Sequence, residues 1–183
     1  MKGLFCYNFS IMKKKETLIY CALMPEAKPL IGYLKLTQTK QGYFENESIL
    51  LCVGGMGFEK TKNSLHSLFQ EFHFQKAINL GIAGCKDETI PKGSLFCTNQ
   101  ELKDIAYTSL TSVLTPLTCK DMLKSTLVDM EAQVFLEICK QFLKKEDIFV
   151  FKVVSDYLDD TIPSKAYVNE LIQKNIKKIT PYV

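Results

Sequence analysis

Apolar residues in this chain fall in short blocks separated by polar and glycine-bearing stretches. The blocks at 18–23 (LIYCAL), 49–53 (ILLCV), 77–80 and 148–154 (IFVFKVV) are rich in strand-forming residues. Short unbroken apolar runs of this kind predict strands buried on both faces. Between them the period changes. Over 58–72, Thr61, Leu65, Leu68, Phe69 and Phe72 share one helical face, and over 130–143 Ala132, Phe135, Leu136, Cys139 and Phe142 or Leu143 do the same. A terminal amphipathic helix with a basic face is predicted over 163–178. Pro25 suits the first position of a helix and Glu26 its first turn. Residues 32–37 and 43–45 predict a hairpin around Gln41-Gly42, and Lys92-Gly93 predicts a turn before a strand at 94–97. Residues 99–127 carry weak periodicity.

Strands alternating with helices give an α/β fold, whose sites lie at the carboxyl ends of the strands. Those ends are chemically distinctive here. The first block leads to Met24-Pro25-Glu26, the second to Gly54-Gly55-Met56-Gly57, the third to Gly81-Ile82-Ala83-Gly84 and the fourth to Ser155-Asp156. Glu26, Glu131 and Asp156 each follow an apolar segment. A carboxylate desolvated there can carry a proton near neutral pH, and two in different surroundings can divide acid and base roles. Each also has an ordinary alternative as a helix cap. The Gly54–Gly57 amides face an anion or a polarised water, or simply make a tight turn. No GK[ST] follows them, so this is not a P-loop.

With 183 residues, 46% hydrophobic, the chain suits one domain over 18–183, preceded by an extension over 1–17. Met12 followed by three lysines resembles a second start, and the first eleven residues are either an upstream addition or an added strand. The net charge of +3 and the scattered lysines do not suggest nucleic acid, and no apolar run is long enough to span a membrane. Every one of the 23 basic residues is Lys, so no guanidinium is present to grip phosphate in two places. The seven cysteines form no CxxC pair and sit mostly in apolar runs, which reads as reduced core thiols in a cytoplasmic protein. His66 and His73 have no ligand partner at metal spacing, so no metal is expected on them.

Five segments in order resemble the purine nucleoside phosphorylase and nucleosidase superfamily, most closely its methylthioadenosine/S-adenosylhomocysteine nucleosidase and futalosine hydrolase branches. They are Ala22-Leu23-Met24-Pro25-Glu26, the 54–60 turn, 78–84 with 90–94, Val128-Asp129-Met130-Glu131-Ala132, and 153–159 (VVSDYLD). The resemblance implies three αβα layers about a central mixed sheet and cleavage of an N-glycosidic bond in a purine or 5′-substituted nucleoside. It implies Glu26 as the base that holds water, and Asp156, oriented by Ser155, as the acid for the departing purine. Glu131 would hold the ribose hydroxyls with Met130 packed beneath, and Gly55, Gly57, Gly81 and Ile82 would support the site. A homodimer is implied as well, and chemistry without metal or cofactor. The chain departs from the pattern in several places. The stretch from Ser94 to Asp129 is short, and it offers only Tyr107 or Phe96 as an aromatic contact to the base. Asp129 stands where the nucleosidases have Glu, and Ile82 where some have a hydroxyl. The missing Arg favours water over phosphate as acceptor. A phosphorylase, or a nucleoside binder without turnover, are the alternatives.

Overall fold

A computed structural model of the chain describes residues 12–117, 123–159 and 162–183. Cys6, Cys119 and the first eleven residues lie outside the described residues. Among the described residues, twelve strands and four α-helices follow in chain order: β1 (Lys13–Lys14), β2 (Thr17–Cys21), α1 (Met24–Tyr33), β3 (Thr37–Lys40), β4 (Tyr43–Glu45), β5 (Ile49–Val53), α2 (Phe58–Glu71), β6 (Phe72–His73), β7 (Lys76–Cys85), β8 (Leu95–Cys97), β9 (Ala106–Tyr107), β10 (Leu110–Ser112), β11 (Leu127–Asp129), α3 (Ala132–Cys139), β12 (Ile148–Asp156) and α4 (Lys165–Ile179).

The main sheet is ordered β3-β4-β5-β2-β7-β12-β8-β9, with β11 on β7 and β10 on β11. β5, β2, β7 and β12 run parallel, whereas β4, β8 and β11 pair antiparallel with β5, β12 and β7. The sheet is therefore mixed, and alternation along each strand builds a core on either face. Ile19, Cys21, Ile78, Leu80, Phe151 and Val153 pack against α1 and α4. Leu18, Tyr20, Leu50, Cys52, Ala77 and Val150 pack against α2 and α3. This is the three-layer αβα arrangement expected from the pattern and the resemblance.

Some expectations are corrected. Gly32 and Tyr33 belong to α1, so the hairpin begins at Thr37. Pro29 lies inside α1 and cannot donate to Pro25 O; Asn169 Nδ2 of α4 reaches that carbonyl at 3.5 Å instead. The third strand does not end at Leu80. It continues through Gly81-Ile82-Ala83-Gly84 to Cys85, because β12 and β11 pair with that stretch. Helix α3 stops at Cys139, shorter than its apolar periodicity suggests. Phe142 beyond it is half exposed, stacked on Phe69 at 4.3 Å.

β7 is the hinge of the topology. β12 covers one edge of it from Ala77 to Gly84. On the other edge β2 reaches only Asn79, and β11 begins at Gly84. Among the described residues, the stretch between has no strand on that edge. Among the parallel strands, the chain passes from β2 to β5 on one side and then to β7 on the other, so this gap sits at the point where strand order reverses.

The turn after β5 is fixed by contact with the core. A Cβ on Gly54 would lie 2.3 Å from Cε2 of Tyr20, a ring with no solvent exposure. Gly54→Ala should therefore cost about 1–3 kcal/mol in urea unfolding with an unchanged slope. Gly32→Ala, inside α1 with nothing within 4 Å, should raise stability by about 0.5–1 kcal/mol.

Candidate active site

Glu26 enters the open edge of β7. Its Oε1 accepts from Ile82 N at 3.0 Å and its Oε2 from Leu23 N at 2.8 Å. The second bond caps α1, so the ordinary structural role and a chemical one coexist on a single carboxyl. Only 3% of Glu26 is exposed, and burial pushes its carboxyl up to about 7. The Ile82 amide, the Lys152 ammonium and the Leu23 amide pull the other way, and the nearby Glu131 charge adds to the rise. A carboxyl poised there can exchange a proton at physiological pH.

Gly81 makes room for this arrangement. A Cβ there would lie 2.9 Å from Glu26 Oε1 and 3.3 Å from Lys152 Nζ. Lys152 points from the middle of β12 and is 1% exposed. Its ammonium meets Asp129 Oδ2 at 2.7 Å, and Asp129 also accepts from Ala132 N at 2.8 Å and Ser112 Oγ at 2.5 Å. Burial works to lower Lys152, but the charges of Asp129, Glu131 and Glu26, with the Asp129 hydrogen bond, hold it above its ordinary value. Glu131, also buried, accepts from Gly57 N at 2.7 Å. Burial raises its carboxyl as well, opposed by Lys152 and the Gly57 amide. Met130 is half-buried, with its Cε 4.0 Å from where a Gly57 Cβ would be.

Asp156 lies further along β12. The register shifts between Val154 and Asp156, so Asp156 falls opposite Gly84, whereas Lys152 falls opposite Gly81. Three residues of strand separate those positions, about 10 Å. Its Oδ2 accepts from Ser155 Oγ at 2.6 Å and its Oδ1 from Leu158 N at 3.0 Å. Ser155 Oγ is also 3.3 Å from Ala83 O. The serine hydroxyl has one proton, so these bonds alternate. With Asp156 ionised the hydroxyl turns to Oδ2; with Asp156 protonated the acid donates to Ser155 and the hydroxyl is free for Ala83. Leu158 holds a left-handed backbone, φ 59, anchored by a side chain buried against Leu123 and Val128.

No protein-family model matches the chain, and no curated protein matches it by sequence. Solved structures do match. The futalosine hydrolase of Helicobacter pylori strain 26695 superposes with a TM-score of 0.75 at 14% identity, over 92% of this chain and 98% of that one. A 5′-methylthioadenosine/S-adenosylhomocysteine nucleosidase from Helicobacter pylori, with butyl-thio-DADMe-Immucillin-A, gives 0.75 at 14% over 94% and 100%. One from Chlamydia trachomatis gives 0.74 at 19% over 94% and 100%. The fold is that of the nucleosidases.

Within this nucleosidase fold, the residues singled out in the sequence take distinct places. Glu26, Glu131, Gly57, Gly81 and the backbone of Ile82 are brought together around Lys152 and Asp129. Asp156 and Ser155 stand apart from that group on the same strand as Lys152. The glycine turn spends its amides inside the protein: Gly54 N donates to Cys21 O, Gly55 N to Ala22 O, and Gly57 N to Glu131. Those three amides are therefore spent on groups of the protein itself. Tyr107 is exposed on the outermost strand, and Phe96 packs beneath Ala83 and Val154. Lys152 was not singled out, although a lone charge within IFVFKVV was its signal. Among the described residues no group of His, Cys, Asp and Glu could hold a metal, and no helix is long and apolar enough to cross a membrane.

The Glu26 carboxyl has a consequence for stability. Its folded value stands above the ordinary 4.5, so the folded chain keeps a proton that the unfolded chain has released, and stability falls as pH rises from 4.5 to about 7. Denaturation at about pH 5 and pH 8 should show wild type losing on the order of 3 kcal/mol more than Glu26→Gln over that interval.

Proposed function

We propose that this chain is an N-ribosyl hydrolase that cleaves the glycosidic bond of a purine nucleoside or of a 5′-substituted one such as methylthioadenosine, S-adenosylhomocysteine or futalosine. The observation that carries the reading is the buried, near-neutral carboxyl of Glu26 at the strand-order reversal, beside Glu131 and beneath a glycine. Support comes from the fold shared with enzymes named for those substrates.

Breaking the bond places positive charge on the ribosyl group and negative charge on the departing base. Glu26 takes a proton from water at the anomeric carbon. Glu131 accepts from the ribose hydroxyls, with Met130 under the sugar. Glu26, Asp129 and Glu131 outnumber the ammonium of Lys152, so the field of the cluster favours the cationic sugar. Asp156, with Ser155 able to exchange its hydroxyl bond as the proton leaves, supplies the acid for the base. The separation of about 10 Å along the strands suits a sugar at one end and a purine at the other. Positioning, proton transfer and the field of the cluster together carry the mechanism.

Water is favoured over phosphate. The glycine-turn amides that would cradle an anion are engaged, and the buried cation is already paired with Asp129. A binder without turnover is favoured by one observation, that each carboxyl oxygen of Asp156 already accepts a bond from within the protein, from Ser155 Oγ and from Leu158 N. A homodimer in the cytoplasm completes the proposal; it would cover the exposed Leu23, Met24 and Met56 beside the site.

Incubation with methylthioadenosine, S-adenosylhomocysteine, adenosine, inosine and futalosine should release free base without phosphate. Asp156→Asn should lower that rate by about 10²–10⁴-fold while binding persists. Release that requires phosphate makes it a phosphorylase. Binding of these nucleosides without release, by the folded protein, makes it a binder.

A further inference from the structure

Lys152 is the one described lysine whose side chain is wholly enclosed, and it sits among three carboxyls contributed by separate elements. Asp129 comes from the end of β11, Glu131 from the residue before α3 and Glu26 from the first turn of α1. The thiol of Cys21, at the end of β2, completes the ionisable groups that face the ammonium. It is fully buried, and burial together with the Glu26 charge holds it well above its usual value, so it stays neutral.

The ammonium is fixed from one side. Asp129 grips it at 2.7 Å, and Asp129 is itself fixed by the Ala132 amide and the Ser112 hydroxyl. The same ammonium borders the space over Gly81: a Cβ there would lie 3.3 Å from Nζ and 2.9 Å from Glu26 Oε1, so the two atoms stand within about 6 Å of each other. An opposite charge acts strongly on a carboxyl at separations of about 4–6 Å. The Glu131 carboxylate presses on Glu26 from the same enclosure, and the Lys152 ammonium opposes it.

We propose that Lys152 is a positioning residue for the hydrolytic reaction: clamped by Asp129, it holds Glu26 ionised at the pH where the water must be deprotonated. Asp129 thereby acts through Lys152, by aiming the ammonium. The inference rests on the nucleosidase reading for its catalytic meaning, but the electrostatic part stands without it. Lysine suits this duty because its charge is compact and needs no paired acceptor plane, so Asp129 can anchor it through one oxygen.

The test reads Glu26 directly. Carbon-13 NMR of glutamate-labelled protein, with the Glu26 signal assigned by its loss in Glu26→Gln, gives the midpoint of its titration. Lys152→Met should raise that midpoint by at least one pH unit, and Lys152→Arg should leave it within a few tenths. If activity is present, the acid limb of the pH–rate profile should move by the same amount, with kcat affected more than KM. Should Lys152→Met strand Asp129 and fail to fold, Lys152→Met combined with Asp129→Asn removes both charges, and the midpoint should still rise. A folded single or double variant whose Glu26 titrates as in wild type overturns the proposal. A shifted midpoint in a protein that releases no base from any nucleoside upholds the electrostatic role and overturns the nucleosidase reading alone.

Discussion

The backbone of β7 runs out of partners on one edge before it runs out of length. β2 stops beside Asn79 and β11 begins beside Gly84, and the amide of Ile82 falls between them. A buried N–H left without an acceptor costs as much as a lost hydrogen bond, so something must fill the gap. Glu26 does so with one oxygen while its other oxygen starts α1. Helix, strand and carboxyl are thereby held in one register. A group recruited to satisfy a strand edge is also withdrawn from water, and that withdrawal is what gives it an affinity for protons suited to chemistry.

A buried acid of this kind calls for further charge. Glu131 is tied to the glycine turn through Gly57, whose φ of 94 lies in the left-handed region that glycine reaches without strain. Lys152 and Asp129 supply a balanced pair next to it. The glycine turn thus donates its amides to the protein's own Glu131 carboxylate and to the carbonyls of Cys21 and Ala22, and its conformation serves internal bonding.

Much of this could be read from the chain. The apolar blocks located β2, β5 and β12 closely, and Pro25 followed by Glu26 marked the start of α1, because burial pattern and helix-start chemistry are local signals. The length of β7 was not legible: glycines at 81 and 84 look like a turn, and only pairing with β11 and β12 shows that they continue the strand. The end of α3 was missed because Phe142 is apolar yet lies outside the core, stacked on Phe69. In the site, Glu26 and Glu131 could be singled out by position. The ion pair of Lys152 with Asp129 joins positions far apart in sequence, and only the fold brings them together. The shift in register that sets Asp156 opposite Gly84 likewise leaves no mark in the sequence.

β7 touches β2, β11 and β12, threads both apolar cores with Ile78, Leu80 and Ala77, and presents Gly81, Ile82 and Gly84 to the acidic groups. Local opening of a protein proceeds through units with few such ties, and this strand has the opposite character. Its amides belong among the slowest to exchange with deuterated solvent. A chain breathing at its outer strands would keep the carboxyl cluster assembled, whereas release of this single segment would dissolve the cluster and both halves of the interior in one cooperative event.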